Sequence, residues 1–265
     1  MRTAYWQELT THDFDRIDVE KTIAVLPVAA IEQHGPHLPL ATDALINAGI
    51  VRAALPQVPK TIAALILPPL DYGASGEHED FAGTLAVEPD LLLNVWLNIA
   101  NDVARTGIRK IVILNSHGGQ KSVVDQLALN LRIAHDMFAV RCNYFAFGAP
   151  DGLFSSEEWS FGLHGGETET SLMLHLHPEL VRVDRLKDFE SVAQALAKKN
   201  KWLGAEKPIG FGWKAQDLNP AGVAGNAAQA SAEQGATYLA HLGKSLAELL
   251  VEVAETPVGL IADAH

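Results

Sequence analysis

The chain is short of cysteine, of basic residues and of long apolar runs. Cys142 is the single cysteine among 265 residues, which excludes a disulfide scaffold and any all-cysteine metal site. Lys and Arg number 20 against 32 Asp and Glu, a net charge of −12. An acidic balance of this kind argues against nucleic-acid binding by phosphate neutralisation. No apolar run approaches the roughly 18–20 residues that span a bilayer. Met1 to Glu20 carries five acidic residues and no apolar core, unlike a secretory signal. What is present is a 48% hydrophobic chain with well-mixed charge, expected to be globular and cytoplasmic. No repeat or linker divides it, so one domain over residues 1–265 is expected.

Hydrophobic patterning gives an alternating order of elements. Thr22 to Ala30, Thr61 to Pro68, Arg109 to Asn115 and Phe138 to Phe147 are short apolar runs of the kind buried on both faces of a sheet. Helical stretches are expected at Ala41 to Leu55, Pro89 to Thr106, Lys121 to His135, Glu167 to Leu176 and Ser231 to Glu255. Strands alternating with helices predict an α/β fold with a mostly parallel sheet covered on both faces. Ligands in such folds bind beyond the carboxyl ends of the strands.

The loops at those ends hold the chemistry. After the first strand, Glu32, Gln33, His34, His37 and Asp43 fall within twelve positions on a path stiffened by Pro36 and Pro39. Histidine and carboxylate on a rigid loop are the donors that Zn²⁺, Mn²⁺ or Fe²⁺ take. Each also has a structural use, for Asp43 the capping of a helix. After the third strand comes Asn115-Ser116-His117-Gly118-Gly119-Gln120, where two glycines allow close approach to a ligand. It lacks the spacing of a phosphate loop. A third cluster holds His164, Glu167 and Glu169, the two acids in the first turn of a helix, where its dipole also favours them. Gly73 to Thr84, with Glu77 and His78, is a polar loop able to cover a site, and Trp159 could wall a pocket. His175 and His177 read as surface residues, Cys142 as an inert core thiol, and His12, His135, His241 and His265 lack suggestive neighbours.

Taken in order, these stretches resemble the creatininase (creatinine amidohydrolase) family. The stretch Leu26 to Pro39, then Asp43, Gly76-Glu77-His78, Phe81-Ala82-Gly83-Thr84, Asn115 to Gln120, His164-Gly165-Gly166 with Glu169-Thr170-Ser171, and Gly222 to Gly225 carry the likeness. The resemblance implies a three-layer α/β/α sandwich, amide hydrolysis, a homohexamer and two divalent metal ions per subunit, zinc first, with manganese or iron as alternatives. It implies Glu32, His34, Asp43, His117 and Glu169 as metal ligands, Asp43 bridging. His164 is implied as the proton donor, titrating near neutral pH, with Glu169 catalytic beside it. Gln33, His37, His78, Gly118, Gly119, Trp159 and Glu167 are expected near a small-molecule substrate. One departure stands out. Creatininase proper has His-Tyr-Glu, with the glutamate a ligand, where this chain has His117-Gly118-Gly119. The variant form disfavours creatinine as substrate and requires another carboxylate for the second ion, Glu169 first and Glu167 behind it. The wider family also leaves open hydrolysis of a ring C–C or ester bond in a keto-inositol, or ligand binding without turnover.

Overall fold

The computed structural model describes residues 3–261, so His265 lies outside the described residues. In chain order the main elements are β1 (Ala4–Tyr5), β2 (Thr22–Val28), α1 (Thr42–Ala54), β3 (Ala63–Ile66), α2 (Pro89–Arg105), β4 (Lys110–Asn115), α3 (Lys121–His135), β5 (Phe138–Asn143), α4 (Ser156–Phe161) and α5 (Glu167–Leu176). There follow β6 (Asp188–Phe189), α6 (Val192–Lys199), α7 (Ala215–Leu218), β7 (Gly225–Asn226) and α8 (Ala232–Glu255). Five strands form a parallel sheet in the order β1-β3-β2-β4-β5. β6 and β7 pair separately as a small antiparallel unit.

The two central strands, β2 and β4, are buried at every residue, which is why their sequences run apolar without alternation. Side chains still alternate between faces. Ile23, Val25, Ala64, Ile66, Val112 and Leu114 pack under α1, α5 and α8. Ala24, Leu26, Val28, Leu65, Ile111 and Ile113 pack under α2 and α3. The result is the expected sheet with helices on both sides. Pro27 is tolerated in a central strand because β3 has ended at Ile66, opposite Val25, two residues earlier. On one face α8 lies hard against α5: a Cβ on Gly235 would come within 1.9 Å of the Ser171 carbonyl oxygen.

Two expected strands are shorter than their apolar runs. β3 stops before Pro68 and Pro69. β5 stops at Asn143, whose partner Asn115 ends β4, and Tyr144–Phe147 turns away in a 3-10 helix. The sheet edge offers no further partner to extend along. β1, α4, α6, α7 and the β6–β7 unit were not expected; they are too short to show a period. All the loops that follow β2, β3, β4 and β5 emerge at one edge, and the histidines and acids ride on them.

Candidate metal centre

The chain turns after β2 and closes on itself through a bond from the Glu32 amide to the Leu40 carbonyl, 3.0 Å. Gly35 takes φ 68, a left-handed conformation that suits glycine, and its amide donates to the Gln33 side chain at 2.9 Å. His34 Nδ1–H donates to the Glu32 carbonyl, 3.0 Å. That bond leaves the Nε2 lone pair facing inward. The loop then enters α1, with Asp43 in its first turn.

The loop after β4 is held as firmly. The Asn115 side chain donates to the His117 carbonyl at 2.7 Å and accepts the His117 amide at 3.1 Å. Gln120 donates to Asn115 and to the Ala29 carbonyl, and accepts the Ala74 amide, tying three loops together. From α1, Asn47 donates to the Val28 and Leu114 carbonyls and to Ser116. On this frame His117 Nε2–H donates to the Ala74 carbonyl, 3.0 Å, so Nδ1 faces the acids.

These constraints bring the donors together. His34 Nε2 lies 3.3 Å from Asp43 Oδ1 and 4.0 Å from Glu169 Oε2. His117 Nδ1 lies 3.1 Å from Glu32 Oε1 and 3.5 Å from Asp43 Oδ2. Three overlapping groups have spacing fit for a metal ion: Glu32-His34-His164, Glu32-Asp43-His117 and His34-Asp43-Glu169. Asp43 is common to the last two. Both oxygens of Glu32, His34 Nε2 and Asp43 Oδ2 are buried without a hydrogen-bond partner. Buried polar atoms rarely go unpartnered, and buried carboxylates least of all. The donor set therefore fits divalent cations, borderline-hard ions that accept both imidazole and carboxylate.

Electrostatics sort the same groups. Burial alone would raise Glu32, but the charges of His117, His78 and His164 outweigh it and hold the carboxyl well below its usual range. Burial and the neighbouring Glu32 charge push Asp43 up to about 7, as when two carboxylates share a site. Burial opposes protonation of His34, yet Asp43, Glu169 and Glu32 raise it to about 9. His117 rises likewise to about 10, driven by Glu32, Asp43 and Glu77 against burial. Two other rings go the opposite way. Burial and His34 lower His164 to about 4, and burial and His164 lower His78 to about 2. These rings form a column, His34 to His164 at 4.2 Å and His164 to His78 at 4.3 Å between centroids. The expectation that His164 titrates near neutral pH is corrected here. Burial beside other histidines favours the neutral ring.

Comparison with known proteins identifies a family. The family model described as creatinine amidohydrolase matches residues 7–250. The chain belongs to the creatininase family. A mycofactocin precursor peptide peptidase from Mycobacterium ulcerans is 34% identical over 167 residues, 61% of this chain and 61% of that protein. A creatinine amidohydrolase from Pseudomonas putida is 31% identical over 71% of this chain and 77% of its own. The chain thus spans less than two thirds of the peptidase's length. Among solved structures, a mutant creatininase in a Zn–Zn form superposes with a TM-score of 0.75 at 26% identity, covering 97% of this chain and 100% of that one. The shared fold is the parallel sheet with helices on both sides.

In this creatininase-family chain the donor cluster borders a cavity of about 700 Å³. Glu32, Asp43, His78, His117, Gly118, Gly119, Trp159, His164 and Glu169 all line it. Trp159 packs edge-on to Phe154 and Tyr238. Three expected residues stand behind the wall. Gln33 donates to His78 Nδ1 at 2.8 Å and to the Gly222 carbonyl at 2.6 Å. His37 bonds the Gly165 carbonyl, 3.0 Å, and stacks on Phe189. Glu167 accepts from Gln234 of α8 at 2.7 Å. They brace the site rather than face it. His175 is exposed and His177 pairs with Glu179, away from the site. Burial raises the Cys142 thiol to about 12, so it is inert. Unforeseen cavity residues include Tyr144, Glu158, Tyr238, Phe211 and Trp213, whereas Glu77 lies in the loop expected to cover the site. Glu158 had a usable signal. Gly162 and Gly166 flank its carboxyl so closely that a Cβ on either would approach it within 2.4 Å. The others are aromatics: Tyr144 from the 3-10 turn after β5, Tyr238 from α8, and Phe211 and Trp213 from an irregular segment.

Proposed function

We propose that this chain is a metal-dependent hydrolase that cleaves an amide or cyclic amide C–N bond in a polar molecule. The observation that carries the reading is the set of unpartnered buried donor atoms on Glu32, His34 and Asp43, of which Glu32 and Asp43 line an open cavity. Glu32, Asp43 and His117 would hold one divalent ion and His34, Asp43 and Glu169 the other, with Asp43 shared. Such a pair, when bound, makes water nucleophilic at neutral pH and polarises a carbonyl.

The protein's own part follows from the hydrogen bonds. His164 commits Nε2–H to the Gln33 carbonyl at 2.7 Å, which turns Nδ1 toward Glu32, 3.8 Å away. Nδ1 takes a proton from the attacking water and passes it to the leaving nitrogen. Glu169 accepts the Gly165 amide at 2.6 Å, which fixes its carboxylate beside His34. Backbone N–H groups at Gly118 and Gly119 stand on the cavity wall, where they can meet a developing oxyanion.

The two relatives described above, an amidohydrolase and a peptidase, both break a C–N bond. A cavity of this size takes more than a single small ring. A homohexameric assembly and a cytoplasmic location belong to the same proposal. Among the described residues no helix is long and apolar enough to cross a membrane. The test is metal analysis of the purified protein, followed by turnover on a panel of cyclic amides, formamides and short peptides. Two ions per chain and turnover of an amide support the proposal. Absence of stoichiometric metal after refolding with Zn²⁺ and Mn²⁺ overturns it, and turnover of keto-polyols alone replaces the amide assignment.

A further inference from the structure

Gly119 has a neighbour that explains it. A Cβ built on Gly119 would fall 1.9 Å from Glu77 Oε1 and 2.6 Å from His117 Nε2. A side chain there would have to displace the Glu77 carboxylate, which fills that space. Gly118, one residue earlier, has nothing within 4 Å of the same test position. The two glycines are therefore not equivalent.

Glu77 comes from the other side of the cavity, at the short 3-10 turn Gly76–His78. Its Oε1 stands 3.5 Å from His117 Nε2. That nitrogen is the one turned away from Glu32 and Asp43, and it also donates to the Ala74 carbonyl. The ring thus has a carbonyl and a carboxylate on one edge and the metal-ligand carboxylates on the other. A carboxylate on the far nitrogen of a ligating histidine fixes its tautomer and makes the near nitrogen a stronger donor.

Resting on the metal reading of the site, we propose that Glu77, admitted by the missing side chain of Gly119, is the positioning residue that orients and strengthens His117 as a ligand. His78, the next residue, turns its Nε2 toward Glu32 at 3.4 Å, so the same short turn supports two members of the floor. Glu77 acts through His117 and does not itself appear in any of the three ligand groups.

The experiment measures metal affinity of the purified chain by chelator competition, for wild type, Glu77→Gln, Glu77→Ala and Glu79→Gln. Co²⁺ absorption reports the ligand field in each. Glu79 sits on the same loop but pairs outward with Lys214 at 3.8 Å, so it serves as the control. Loss of such an outer carboxylate is expected to weaken one of the two sites by about 10- to 100-fold. Glu77→Gln, which keeps the shape and loses the charge, should weaken it and shift the Co²⁺ bands, with melting temperature near wild type. Glu77→Ala should weaken it further, and Glu79→Gln should match wild type. Unchanged affinity and an unchanged Co²⁺ spectrum in both Glu77 variants overturn the assignment to Glu77 while leaving the metal reading intact. A wild-type chain that binds no ion overturns both.

Discussion

The two ends of β4 each bury charge, and they treat it differently. At the amino end Lys110 is fully buried, yet its ammonium donates to the Glu20 carbonyl at 2.6 Å and the Ala254 carbonyl at 2.9 Å. The Glu20 carboxylate stands 3.6 Å away. The charge is met from three directions by the chain itself. At the carboxyl end His117 faces two carboxylates, and the acids around it keep oxygens with no partner. A closed polar network needs nothing further, whereas an open one at the floor of a cavity is arranged for something that arrives. Burial is nearly equal at the two ends, so burial alone does not mark a functional site. The unpaired lone pairs do.

The strongest way to break this contrast is to remove the shared acid. Asp43→Ala takes a ligand from both Asp43-containing groups, and we expect at least one of the two ions to be lost. Turnover should fall by about 10³-fold or more, since each ion contributes several kcal/mol of charge stabilisation. Metal analysis and kinetics on one preparation check it, and full metal content would contradict the shared position. Next in size is His164→Ala. General acid–base catalysis is worth about 10² to 10⁴ in rate, so turnover should drop by that much with both ions retained. Loss of an ion instead would make His164 a ligand through the Glu32-His34-His164 group.

A smaller, graded effect is expected with pH. Asp43 at about 7, His34 at about 9 and His117 at about 10 hold protons that a cation must displace. Below about pH 7 all three are occupied, and they empty in turn as pH rises. Affinity for Zn²⁺ should therefore climb between about pH 6 and pH 9, by up to about tenfold per unit for each proton released. Calorimetry in buffers of differing ionisation heat counts those protons, and a pH-independent affinity would contradict the assignment. At the other end of the strand, Lys110→Met should behave oppositely. Losing two charge-assisted bonds is expected to cost about 2 to 4 kcal/mol of stability, read from chemical denaturation, with metal affinity unchanged.

Much of this was legible in the sequence, for physical reasons that differ by region. β2 and β4 are buried on both faces, so they had to be apolar throughout, and the run from Ile111 to Leu114 left little choice. The donors Glu32, His34, Asp43 and His117 sit close to strand ends, where topology alone assembles them. The brace residues Gln33 and His37 were harder. They stand in the same loop as the ligands, and only the fold shows that Gln33 turns back to Gly222 and His37 to Gly165. Phe211 and Trp213 come from an irregular segment far along the chain, and no local rule places such a segment over a distant strand end. The state of His164 was also hidden, because its lowered pKa requires knowing that it is buried with two other imidazoles flanking it.

The smallest expected effect tests the finest distinction. Gly118 and Gly119 are adjacent in sequence and both line the cavity, but an added Cβ would meet a neighbour only at Gly119. Gly118 has no positive φ and open space where a Cβ would stand. Gly118→Ala should therefore leave stability within about 0.5 kcal/mol of wild type, as for substitutions away from packing constraints. Metal affinity should not move either, since none of His117's partners lies within 4 Å of that methyl group. Any change belongs to substrate. A raised KM with unchanged kcat would mean that the methyl group narrows the path of a bound molecule equally before and during reaction. A lowered kcat would instead place the Gly118 amide at the reacting carbonyl, where a small shift of a hydrogen-bond donor is felt most in the transition state. Kinetics on the first amide found to be turned over separate the two, and they decide which of the paired glycines serves the metal and which serves the substrate.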